Sequence, residues 1–202
     1  IYISDLEGRN PKQLSIEGRW AVEPAISPDG NSIAASLSTG NPLDISVFEL
    51  FVMNRDGGSR QQLTRSNSLA LYPRWSPDGK RLAFSVWQIS GGNAVNPKAF
   101  VIDIANPGKP VEVGRGMVMR WQGQNELLIF DSTRTWRYSL DSPGKKELLN
   151  DTLQATPLPG NQYVLLASET PGKEGAWLSP IDQKKAARRL IDGSLAEFRI
   201  AP

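Results

Sequence analysis

The tetrapeptide Ser-Pro-Asp-Gly stands twice in this chain, at Ser27-Pro28-Asp29-Gly30 and Ser76-Pro77-Asp78-Gly79, a step of 49 residues. Each copy leads into an alternating apolar run, Ile33-Ala34-Ala35-Ser36-Leu37 and Leu82-Ala83-Phe84-Ser85-Val86. The match extends past the motif, because Tyr2, Phe51 and Phe100 are aromatics at the same 49-residue step. Asp-Gly suits a tight hairpin, since glycine accepts a positive φ without a Cβ clash. A repeat of this length made of short strands and tight turns must stack its units to bury their faces.

That period predicts an all-β chain, a β-propeller of four-stranded antiparallel blades. Strands a to d of a blade run from the channel outward, with Ser-Pro-Asp-Gly joining a to b. Strand c is expected to open with an aromatic in each copy: Tyr2, Phe51, Phe100, Trp136 and Trp177. Strand d carries Leu14, Leu63, Val113, Leu148 and Leu190. Strand a shows Ala25-Ile26, Arg74-Trp75, Arg120-Trp121, Pro157-Leu158 and Arg199-Ile200. Four full blades are read at about 23–65, 72–114, 118–150 and 155–192, with partial blade strands at 1–14 and 196–202. The third and fourth a–b turns replace Asp-Gly by Gln122-Gly123-Gln124-Asn125 and Leu158-Pro159-Gly160-Asn161, which are still turn formers. The basic run Lys184 to Arg189 falls where a c–d turn is expected. The order reads as a fragment of a propeller with six or more blades. Ile1, not methionine, opens the chain, so a signal peptide or upstream domain is expected to lie outside it.

Composition narrows the chemistry. The chain has 202 residues, 39% hydrophobic and 22% charged, with a net charge of +2. That balance gives no argument for nucleic acid or for an anionic membrane. With no cysteine and no histidine, disulfides, thiolate sites, Ser-His-Asp triads and the commonest general base are excluded. No apolar run approaches the ~20 residues that span a bilayer, so no direct membrane insertion is expected. No phosphate-binding loop, dinucleotide fingerprint or nucleophile elbow is present, nor an Asp-x-Asp-x-Asp calcium loop. The chain is expected to be non-enzymatic, without catalytic residues, cofactor or metal.

The stretch Tyr72-Pro73-Arg74-Trp75-Ser76-Pro77-Asp78-Gly79-Lys80-Arg81-Leu82-Ala83-Phe84 resembles the repeat of the TolB-like propellers, the PD40 or WD40-like repeat. So does Glu49-Leu50-Phe51-Val52-Met53-Asn54-Arg55-Asp56-Gly57-Gly58, followed by Gln61-Gln62-Leu63-Thr64. Two copies are strong and three degenerate. The resemblance implies a bacterial, periplasmic or otherwise extracytoplasmic module that binds another protein or a peptide. Similar propellers filter substrates for prolyl-oligopeptidase and tricorn-type serine peptidases, or act as ligand-sensing domains of bacterial membrane receptors. The repeat is specific for fold and says little about which of these applies.

Candidate binding residues follow from register. Ser38–Phe48 and Gln88–Lys98 are the longest insertions, both between strands b and c of consecutive blades, and are expected as loops on one face. Asp44, Trp87, Asn93, Asn96 and Lys98 are its candidate contacts. Arg74, Arg120 and Arg199 share a register on the inner strand and could form a basic channel ring; pairing with a carboxylate or stacking on tryptophan is the alternative. Trp75, Trp121, Trp136 and Trp177 lie in repeat register and are expected in packing, with Trp75 in the core. Trp20 and Trp87 lie outside it and are expected at the surface. Asp29 and Asp78 recur in turns, where bonds to the turn backbone explain them.

Overall fold

The computed structural model describes residues 1–40, 45–132, 134–144, 146–150, 154–158, 162–168, 175–180 and 186–192. All regular elements among them are strands. The N-terminal pair β1 (Tyr2–Ile3) and β2 (Lys12–Gln13) supplies strands c and d of a partial blade. Blade 1 is β3 (Ala21–Ile26), β4 (Ser32–Ser38), β5 (Phe48–Asn54) and β6 (Gln61–Gln62). Blade 2 is β7 (Leu69–Trp75), β8 (Arg81–Ser90), β9 (Asn93–Asp103) and β10 (Val111–Arg115). Blade 3 is β11 (Met117–Trp121), β12 (Glu126–Phe130), β13 (Thr135–Ser139) and β14 (Lys146–Asn150). Blade 4 is β15 (Gln154–Pro157), β16 (Tyr163–Ser168), β17 (Gly175–Pro180) and β18 (Arg188–Asp192). Every pairing within a blade is antiparallel. The terminal strand expected at 196–202 lies outside the described residues, as do Lys184 and Lys185. Arg188 and Arg189 belong to β18 and not to the turn before it.

The two strong repeats build one turn twice. Ser27 Oγ donates to Asp29 Oδ1 at 2.6 Å and accepts the Ser32 amide at 2.9 Å. Ser76 Oγ donates to Asp78 Oδ1 at 2.6 Å and accepts the Arg81 amide at 2.9 Å. In each, the carboxylate also accepts the amide two residues on, from Asn31 or Lys80, at 3.1 Å. Gly30 and Gly79 take φ of 74° and 70°, which is why the motif ends in glycine. Both Asp pKa values lie below the usual carboxylate range, chiefly through the Ser27 and Ser76 hydroxyl bonds. The pair is structural.

The core lies between blades, because strand alternation gives each sheet two apolar faces. Leu14 packs with Ile33, Ala35, Leu37 and Met53. Ala34, Leu50 and Leu63 of blade 1 meet Leu82, Phe84 and Ile102 of blade 2. Ala83, Ala99 and Val101 on the other face of blade 2 meet Val118, Trp121, Leu127, Ile129 and Tyr138 of blade 3. Burying a side chain such as Phe84, 1% exposed, contributes about 1.5–3 kcal/mol.

Tryptophan adds a directional link. Trp75 Nε1 donates to the Ala25 carbonyl at 2.9 Å, and Trp121 Nε1 to the Arg74 carbonyl at 2.8 Å. Each bond runs from strand a of one blade to strand a of the blade before. Trp75 is thus a half-buried packing residue against the blade 1–blade 2 core. Trp20 is 56% exposed, as expected. Trp87 is not: it is half-buried, and its indole N–H is buried without a hydrogen-bond partner among the described residues. On β8 it continues the strand as the pair Leu69↔Trp87, next to the stretch 88–98 expected as a loop. Tyr2 opens its strand as expected, but the other strand c aromatics sit inside theirs. Phe51 is the fourth residue of β5 and Phe100 the eighth of β9. Tyr2 is exposed.

Candidate functional site

Strands β8 and β9 run past the rest of their blade as a two-stranded ribbon. The pairs Gln88↔Val95, Ile89↔Ala94 and Ser90↔Asn93 close on Gly91-Gly92. The expected loop at 88–98 is therefore a hairpin. Its physical reason is the glycine pair, whose φ values of 57° and 80° fit a two-residue turn matched to strand twist. A register shift between Val86 and Gln88 sets the ribbon off from the blade, with Asn96 at φ 51° at that point. Ser38↔Phe48 marks where the other insertion leaves its blade. Asp44 within it lies outside the described residues.

The ribbon separates two recesses on this face. One, of about 970 Å³, lies towards blade 1 and is lined by Ser46, Val47, Asn67, Ser68, Asn93 and Val95, among others. Its rim is held by Glu49, only 2% exposed, whose carboxylate accepts the Asn67 amide at 2.7 Å and bonds from the Ser66 and Thr64 hydroxyls. Three donors of this kind compensate a carboxylate withdrawn from water.

The other recess, of about 610 Å³, lies towards blade 3. Lys98, Arg115 and Lys146 bring cations to it, against the single carboxylate of Asp131. Lys98 Nζ pairs with Glu112 at 2.8 Å, with both side chains almost half exposed. Lys146 Nζ sits 4.0 Å over the Trp136 ring. Asp131 accepts the Arg134 amide at 2.8 Å and Trp136 Nε1 at 2.7 Å. Burial, and then the Asp131 charge, push the Tyr138 phenol up. That ring lies against Gly114, where a Cβ would come within 2.5 Å of it. Gly116, at φ 120°, turns the chain into β11 and donates its amide to the Pro97 carbonyl at 2.7 Å.

Of the candidate face residues, Asn96 and Lys98 line the cationic recess, and Asn93 and Asn96 the other. Trp87 stands at the foot of the ribbon. Arg115, Asp131, Tyr138 and Lys146 were not singled out from sequence. The bracket Gly114-Arg115-Gly116, a mark of close approach at a blade junction, was the available signal. Of the channel positions, Arg199 is outside the described residues. Arg74 and Arg120 are half-buried on neighbouring inner strands. Arg74 Nε donates to the Met119 carbonyl at 3.4 Å, and Arg120 Nε to the Trp121 carbonyl at 3.2 Å. Burial pushes the Arg120 guanidinium pKa down. The guanidinium that stacks on an inner-strand tryptophan is Arg81, over Trp121 at 5.1 Å. Among the described residues, no group of three acidic side chains could hold a metal, and no helix is long and apolar enough to cross a membrane.

Fold and repeat together define a segment of a β-propeller. Its fold is similar to that of TolB from Acinetobacter baumannii, which superposes with a TM-score of 0.69 at 18% identity, over 97% of this chain and 49% of that one. In sequence, a TolB homolog of Chlorobium chlorochromatii is 30% identical over 121 residues, 42% of this chain and 28% of that protein. A dipeptidyl-peptidase 5 of Porphyromonas gingivalis is 40% identical over 63 residues, 31% of this chain and 9% of that protein. No family model matches. The chain spans less than a third of the length of these two relatives.

Proposed function

We propose that this chain is a non-catalytic binding propeller of a TolB-like protein, extracytoplasmic, that engages another protein or a peptide. The ribbon face carries the contacts, with Asn93, Asn96 and Lys98 among them. The observation behind this reading is the ribbon itself. It adds exposed strand beyond the blade, contributes little core, and leaves a recess on each side. Arg74 and Arg120 are a second anchoring point, for an anionic group entering the channel.

The test is peptide-display selection against the full-length protein, followed by replacement of residues 88–96 with a tight turn. Selected peptides should lose binding to the shortened protein and keep it when Pro28 and Pro77, on the opposite face, are replaced. Equal binding to the shortened protein sinks the reading.

The match to a dipeptidyl-peptidase favours a second reading, a propeller that filters substrates for a serine peptidase domain. A Gly-x-Ser-x-Gly element elsewhere in the full-length sequence is what that reading requires.

A further inference from the structure

We propose that the outer edge of the β8–β9 ribbon takes up an acidic, extended peptide as an added strand. This rests on the ribbon face being the binding face, and names the mode and the chemistry of the occupant. Along Asn93–Asn96, β9 pairs only with β8. The last pair between β10 and β9 is Arg115↔Lys98, and Gly116 then carries the chain away to β11. Among the described residues, no strand lies beside this edge.

Bare strand edges are ordinarily blunted by charge, proline or a bulge. From Gln88 to Asn96 there is no charged residue and no proline. The only irregularity is the register shift at the ribbon's foot. Every residue of the tip is exposed except Val95, which is half-buried. An edge of this kind is a template for main-chain pairing, with pockets choosing the side chains.

The charge at the foot of the edge selects the occupant. A strand continuing the line of β10 would pass over the recess where Lys98, Arg115 and Lys146 converge. Asp131 is already engaged by an amide and an indole N–H. The Lys98–Glu112 pair is an exposed one, of the sort that contributes little and exchanges readily. Side chains on one face of an added strand recur about every 6.6 Å, so a peptide with alternating carboxylates lays them along this cationic wall.

The probe is a blocked peptide of alternating Glu and Val, about eight residues long, measured by fluorescence anisotropy on the full-length protein. Two companions carry Lys for Glu, or N-methyl groups on alternate amides. We expect the Glu peptide to bind, with both companions at least about tenfold weaker. Ala94→Pro and the pair Lys98→Gln, Arg115→Gln should weaken it similarly. The N-methylated peptide leaves the protein untouched, so a folding defect in a variant cannot decide the outcome. Equal binding of the N-methylated peptide, equal binding of the Lys peptide, or no binding of the Glu peptide each overturns the inference. If display-selected peptides still require residues 88–96 in that case, the binding-face reading survives without it.

Discussion

Three tryptophans, two on inner strands and one on β8, illustrate how one residue type takes different roles by position. Trp75 and Trp121 each give their indole N–H to a carbonyl of the preceding blade. Trp87 buries the same group with no acceptor among the described residues. An orphaned buried donor costs about 1–3 kcal/mol, whereas a made hydrogen bond contributes about 1 kcal/mol. Replacement by phenylalanine keeps most of the ring and removes the donor. Trp75→Phe and Trp121→Phe should each lower stability by about 1 kcal/mol in urea titration. Trp87→Phe should leave it unchanged or raise it. A loss at Trp87 equal to that at Trp75 would mean that the Trp87 indole has found a partner. Repeat register distinguished Trp75 and Trp121 as packing residues. It failed at Trp87, because alternation on β8 continues beyond the blade length that the repeat prescribes.

Turns and hairpins were the most legible elements. Ser-Pro-Asp-Gly encodes its own bonds, so the a–b turns and the blade order could be read directly. The ribbon could not. Gly91-Gly92 reads equally as flexible loop or tight turn, and Ile89, Ala94 and Val95 are too few to declare a strand. The cationic recess was beyond sequence reasoning, because Arg115 and Lys146 meet only through the angle between two blades.

The turn carboxylates carry a pH dependence whose sign follows from their hydrogen bonds. Asp29 and Asp78 have folded pKa values below the ordinary 3.8. Their contribution is fully present above that value and is lost as pH falls through the folded ones. The double change Asp29→Asn, Asp78→Asn should therefore destabilise at neutral pH. The gap to the parent protein should narrow as pH falls below that ordinary value. A gap independent of pH in thermal melts would show that charge plays no part in the turn.

The junction from β10 to β11 makes a steric demand. A Cβ at Gly114 would meet Tyr138 at 2.5 Å. Gly114→Ala should cost about 1–3 kcal/mol, the usual range for overpacking. In a double-mutant cycle with Tyr138→Leu the two costs should be less than additive. Strict additivity would locate the strain elsewhere.

At the scale of the molecule, the indole-to-carbonyl links do not run the length of the chain. They join blade 1 to blade 2 and blade 2 to blade 3. At the corresponding place in blade 4 stands Pro157, which has no side-chain donor to give. Proteins stacked from repeats behave as a row of units held by nearest-neighbour terms, and a weaker junction sets where the row parts first. Native-state hydrogen exchange should show the amides of β15–β18 opening together, at lower free energy than those of β4, β8 and β12. Identical protection across all four blades would contradict this. The tryptophan rhythm would then be a mark of local fit, with no bearing on cooperativity. If the blades do part there, the last blade can yield to mechanical load or proteolysis while the first three persist as a folded unit.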